Sequence, residues 1–123
     1  MKAILTLCAV TLIVGGALLY RHTRLPNRFG EFGGAATAKV SDLVDSPKDY
    51  LKRTVSIEGV VSKQCTTMGC FFFFHEGDKI LRVDLQEVAM TAPRKNGHRA
   101  RVEGRMVPYG DSYQFYASAV QFE

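Results

Sequence analysis

Hydropathy divides the chain into three stretches. Residues 3–20 run without a charge, and their only polar groups are Thr6, Thr11 and Tyr20. Residues 25–39, LPNRFGEFGGAATAK, show no hydrophobic period and contain Pro26, Gly30, Gly33 and Gly34. From Val40 onward, short alternating segments follow one another. Ser41 opens a turn. Ser46-Pro47 then starts a helix of one or two turns over PKDYLK, with Tyr50 and Leu51 as its buried residues. Residues 54–63 read as a half-buried strand with Val55, Ile57 and Val61 inward and Ser56 and Glu58 outward. Gly59 falls in the inward set, as expected at a sharp bend or a close backbone approach.

Residues 70–75, CFFFFH, read as a short aromatic strand, and Glu76-Gly77-Asp78 as a turn. Residues 79–85 alternate, with Leu81, Val83 and Leu85 inward and Arg82 and Asp84 outward. A short helix is expected over 86–92, before Pro93, and a turn at Asn96-Gly97. Residues 98–107 alternate again, with Ala100, Val102, Gly104 and Met106 inward and Arg99, Arg101, Glu103 and Arg105 outward. A turn over 108–112 leads to a last strand, 113–122, whose mixed parity predicts a bulge.

These elements predict an all-β domain over residues 40–123, preceded by a flexible linker over 25–39 and an N-terminal helix over 1–24. Five strands in fewer than 90 residues, with a helical segment before the fourth and glycines inside the first and fourth, resemble an OB-fold barrel. The phrase SPKDYLKRTVSIEGVV and the motif Cys65-x-x-x-Gly69-Cys70 followed by an aromatic sharpen that resemblance. They are similar to small exported bacterial OB-like domains of unknown function, with a barrel like that of tRNA-anticodon-binding domains. The resemblance covers roughly residues 54–107, and Phe71 stands where the family usually has Trp. It implies fold and export rather than an activity.

At ~1.5 Å per residue the apolar run is ~27 Å long, just enough for a hydrocarbon core of ~30 Å. Lys2 precedes it, and Arg21, His22 and Arg24 follow. Leu5, Leu7, Leu12, Ile13, Val14, Leu18 and Leu19 are the expected anchor residues. Gly15 and Ala17 offer a signal-peptidase cut, but Leu18, Leu19 and Tyr20 continue the run past it, which favours a retained anchor. Cys8 follows Leu7, where a lipoprotein signal needs a small residue. The cations after the run favour a cytoplasmic domain by the positive-inside rule. The leading Lys2 is how export signals begin, and the expectation is a membrane-anchored domain in the periplasm.

Charge agrees with this division. The net +4 resides in residues 1–30, which hold four cations and no acid, so residues 31–123 are neutral overall. A globally basic nucleic-acid binder is thereby disfavoured. Apolar residues at 46% and charged residues at 23% are ordinary for a globular domain. Three cysteines are too few for a disulfide-built scaffold.

Four features carry candidate chemistry. In an exported protein, Cys65 and Cys70 are expected to form a disulfide worth ~2 kcal/mol. Alternatively Cys65, Met68 and Cys70, with His75 nearby, offer soft ligands for Cu(I). A haem-carrying role matches in layout only, because the His-x-x-x-Tyr motif is missing, and no resident cofactor is expected. Of the four consecutive phenylalanines two face out. Phe72 and Phe74, with Arg82, Arg99, Arg101 and Arg105, are assigned to a ligand face for a protein or small ligand. Stacking on single-stranded nucleic acid is a third reading, disfavoured by the neutral domain. The sequence contains no phosphate loop, nucleophile elbow or His-Glu-x-x-His motif, so a binding module is expected rather than an enzyme.

Overall fold

A computed structural model describes residues 27–65, 71–88 and 93–123. The expected membrane anchor, including Leu5, Leu7, Leu12, Ile13, Val14, Leu18 and Leu19, lies outside the described residues, as do Met68 and Cys70. Among the described residues no helix is long and apolar enough to cross a membrane.

Among the described residues six strands and two short helical segments follow one another: β1 (Arg28–Gly30), α1 (Val40–Asp45), a 3-10 turn (Pro47–Tyr50), β2 (Val55–Ser62), β3 (Phe71–Glu76), β4 (Lys79–Asp84), β5 (Arg99–Tyr109) and β6 (Ser112–Phe122). β2, β3 and β4 form an antiparallel meander. β4 runs parallel to β6, β6 pairs with β5 along its whole length, and β5 returns to β2. The five long strands thus close a barrel with OB topology. β1 adds a short strand to β6.

The alternation expected in β2 holds. Val55, Ile57 and Val61 are buried, whereas Glu58 and Val60 face solvent. Leu81, Val83 and Leu85, and Ala100, Val102 and Met106, fill the same interior. Val40 and Leu43 of α1 join that cluster, and Tyr50 and Leu51 pack against it. Lys79 is tied to Asp45 at 2.8 Å. That hydrogen bond, with the Asp45 and Asp78 charges, raises the Lys79 ammonium above its ordinary range. The expected helix over 86–92 is, in its described part, a turn closed by the Val88 N–H on the Leu85 carbonyl.

Two glycines make the closure possible. Val61 lies opposite Phe74, and a Cβ on Gly59 would meet the Phe74 ring at 2.7 Å. A Cβ on Gly104 would sit 2.1 Å from the Tyr116 carbonyl oxygen. That contact marks the bulge expected in the last strand: Glu103 is opposite Ala119 and Gly104 opposite Ala117, leaving Ser118 as the extra residue. The Ser118 hydroxyl donates to the Glu103 carbonyl at 3.1 Å.

Residues 27–39 are not the flexible linker expected from their composition. Asn27 accepts from the Phe122 N–H, β1 pairs with β6, and residues 36–38 bond to Ser56 in both directions at 2.9 Å. Between these ties the chain crosses the outer face of β5. Glu103 points outward as expected but is only 5% exposed, because its carboxylate accepts the N–H groups of Gly33 at 2.7 Å and Ala35 at 3.3 Å. This strap buries Ser56 with Glu103, its partner across the sheet.

Two substitutions test this account. Gly104→Ala forces backbone apart in a two-sided sheet and is expected to cost about 3 kcal/mol by chemical denaturation. Glu103→Ala leaves two amides without their acceptor and is expected to cost about 2 kcal/mol. Hydrogen exchange should then accelerate at Gly33 and Ala35 while the β5–β6 amides stay protected.

Candidate functional site

In β3 the side chains alternate strictly, and the sequence assignment of the two faces is corrected. Phe72 and Phe74 are fully buried, packed 5.0 Å apart between ring centroids, with Phe72 also against Phe122. They belong to the core, not to a ligand face. Each fully buried phenylalanine contributes about 2–3 kcal/mol of apolar burial. The outward pair is Phe71 and Phe73, both half-buried, in an edge-to-face contact at 6.0 Å.

Arg82 of β4 stands beside them, because Phe73 is its cross-strand partner. Its guanidinium lies 4.4 Å from the Phe71 centroid and 4.5 Å from that of Tyr109. Tyr109 ends β5 and is 51% exposed, so one of the two rings is open to solvent. Polar groups hold the guanidinium as well. Arg82 Nη1 donates to Gln114 Oε1, and Gln114 Nε2 donates to Asp84 Oδ2 at 3.3 Å. Asp84 Oδ2 is 3.7 Å from Arg82 Nη1, and Asp84 Oδ1 accepts the Gln86 N–H at 2.8 Å. Asp84 is on the outward face as expected, but these contacts leave it 9% exposed.

The arrangement is an oriented cation beside one half-buried and one exposed aromatic ring. A cation between two aromatic rings is attracted to both faces. The carboxylate and the amide fix its orientation, and further guanidinium donors remain beyond Nη1. An open groove of about 630 Å³ continues from Asp84 and Gln114 past Arg105, Tyr116, Thr54 and Glu87.

The other predicted residues divide among separate places. Arg99, Arg101 and Arg105 are all exposed on the outward face of β5, as their alternation implied. They do not share one patch with Arg82. Arg105 borders the groove, Arg101 stacks 4.5 Å from the Phe32 centroid, and Arg99 is 3.6 Å from Glu58. The Cys65 N–H donates to the Phe71 carbonyl at 2.9 Å, so Cys65 sits at the start of β3. His75 is four residues further along that strand, ~13 Å away, between Val60 and Ile80. Of the proposed sulfur–imidazole set, the two described members, Cys65 and His75, are thus apart, and Met68 and Cys70 lie outside the described residues. Among the described residues no three His, Cys, Asp or Glu side chains gather into a metal-holding group.

Sequence reasoning missed Tyr109, Gln114 and Gln64. Gln64 is buried, donating to the Pro93 carbonyl at 2.8 Å and accepting the Lys95 N–H at 2.9 Å. Only partners distant in sequence give these residues their roles.

Comparison with known proteins places the barrel in a class. The hypothetical protein ygiW from E. coli superposes with a TM-score of 0.54 at 12% identity, covering 76% of this chain and 99% of that one. Telomere capping protein Ten1 from Saccharomyces pombe gives 0.53 at 12% identity, covering 72% of this chain and 81% of that one. A chain described as an aspartyl-tRNA synthetase from Leishmania major Friedlin gives 0.54 at 13% identity, covering 88% of this chain but 25% of that one. At these identities the likeness shows an OB-like fold. No family model matches the sequence. No curated protein matches it either.

The Asp84–Gln114–Arg82 cluster predicts a measurable stability effect. Asp84→Ala leaves the Gln114 amide, the Gln86 N–H and the Arg82 cation short of an acceptor. Thermal and urea unfolding should show a loss of about 2–3 kcal/mol.

Proposed function

We propose that this chain is a membrane-anchored OB-fold recognition module that binds a protein partner or small ligand on the outer face of β3 and β4. The observation that carries this reading is Arg82, set between Phe71 and Tyr109 and oriented by Gln114 and Asp84. OB barrels take ligands on the outer face of this strand pair, between the loops that flank it. Aromatic residues and arginine dominate binding energy where a partner excludes water. The module binds rather than catalyses. Residues 3–20 hold it at the membrane, with the barrel on the periplasmic side.

A Cys65–Cys70 disulfide belongs to the same proposal. The Cys65–Phe71 hydrogen bond brings the two ends of the intervening loop together, which supports a short bridge. Copper or haem binding has no comparable geometric support, since His75 stands apart from Cys65.

Crosslinking in intact cells tests the ligand face. A photoreactive residue in place of Tyr109 should give a discrete adduct that Arg82→Ala reduces at least tenfold. The same probe at exposed Glu58, whose register partner Arg101 lies near the opposite end of β5 from Tyr109, should give none. Equal labelling from both positions would sink the reading. Alkaline carbonate washing should leave the full chain in the membrane fraction, and release would remove the anchor. Single-stranded oligonucleotide binding that weakens steeply with salt would instead favour a nucleic-acid partner.

A further inference from the structure

The chain joins the barrel at a particular end, and that end carries a concentration of positive charge. Asn27, the first described residue, is bonded to the Phe122 N–H, and the Glu123 N–H donates to the Arg99 carbonyl. The start of β5, the end of β6 and the end of β2 therefore lie together there. Residues 93–101, PRKNGHRAR, bring four cations, one histidine and no acid to this end. Their loop is pinned to β2 by the Gly97 N–H on the Val61 carbonyl at 2.8 Å and the Gln64 N–H on Asn96 Oδ1 at 3.0 Å. Lys63, just past the Ser62 end of β2 and next to Gln64, adjoins it.

A second group continues the surface. Arg28 and Arg101 are both register partners of Gln121, one on each side, and both stack on Phe32 at 5.0 and 4.5 Å from its centroid. The acidic groups beside these cations are Glu123, the exposed Glu31 next to Phe32, Glu103, whose carboxylate is taken up by the Gly33 and Ala35 N–H groups, and Glu58, 3.6 Å from Arg99 with both side chains 55% exposed. An ion pair that exposed is weak and screened. It leaves Arg99 free to exchange partners. The opposite end of the barrel mixes its charges: Lys79 is paired with Asp45, and Glu76, Asp78 and Asp111 lie in or beside the hairpin turns.

We infer that this basic end rests on the anionic lipid headgroups of the bilayer entered by residues 3–20. The inference deepens the anchored-module reading and rests on it. Six residues, 21–26, connect the apolar run to Asn27, a reach of at most ~21 Å even when fully extended. The end bearing Asn27 is thus the part of the barrel nearest the lipid. Each cation close to an anionic surface strengthens such contact about fivefold, and salt weakens it.

The chain contains no tryptophan, so Phe32→Trp in the full-length protein places a single reporter between Arg28 and Arg101. The protein is reconstituted into vesicles of phosphatidylcholine alone or with 30% (about one lipid in three) phosphatidylglycerol. Headgroup spin-labelled lipid serves as the quencher. Quenching should be several-fold stronger with the anionic lipid and fall toward the neutral value in high salt. Arg99→Gln with Arg101→Gln should lower the docked-to-free ratio roughly 25-fold. Arg94→Gln with Lys95→Gln is an independent second pair, in the loop before β5, and it should act in the same direction. Equal quenching in both lipids, or quenching indifferent to both pairs, overturns the docking while co-flotation with neutral vesicles leaves the anchor standing. Failure to float with neutral vesicles overturns the anchor and the docking together.

Discussion

Closure of this barrel depends on β5 serving two neighbours at once. Its first half pairs with β2 from Val60 to Val55, and its whole length pairs with β6. A strand shared in this way must coil, and the coil is concentrated where Gly104 approaches the Tyr116 carbonyl and Ser118 bulges out of β6. Any side chain at Gly104 would push the two backbones apart. The same closure leaves no long strand edge exposed along β5 and β6. It also fixes which half of the phenylalanine run turns inward, because β3 must lay Phe74 against Gly59.

The strap over β5 depends on that geometry in turn. Ser56 and Glu103 face outward as neighbours on β2 and β5, where water would ordinarily solvate them. Covering a carboxylate without partners is unfavourable by several kcal/mol. Here the covering segment supplies the partners itself, through the N–H groups of Gly33 and Ala35. Gly33 suits the position because a Cβ there would press on the Glu103 carboxylate at 3.2 Å. The strap is therefore held by charge-assisted hydrogen bonds at its middle and strand pairing at both ends, which sets where the chain leaves the domain.

Much of this was legible in the sequence, for physical reasons. β2 declares its faces because Val55, Ile57 and Val61 contrast with Glu58. β5 does so because arginines alternate with small apolar residues. In β3 the signal fails: four phenylalanines are equally apolar in both parities, so alternation cannot say which pair is inside. The one clue was Gly59, which needs a ring against it in the inward row. The linker composition was misleading for a related reason. Glycine and alanine read as flexible, yet they also let a backbone lie close on a sheet. Asp84 and Glu103 read as solvent-facing because their burial is conferred by Gln114 and by residues 33–35, distant in sequence.

The two proposed surfaces are geometrically linked. Phe71 starts β3 opposite Asp84, at the end of the meander where Cys65 meets it, and His75 lies at the other end. With the basic end seated on lipid, the row from Phe71 to His75 rises away from the bilayer, and Arg82 stands two residue pairs above its foot. A partner reaching Arg82 and Phe71 from that side must be narrow or must itself touch the headgroups. A partner held chiefly through Tyr109 and the groove along Arg105 would escape that restriction. Of the 12 cations in residues 31–123, Lys63, Arg94, Lys95, Arg99 and Arg101 belong to the proposed seating end, while on the proposed recognition face Arg82 is balanced against Asp84.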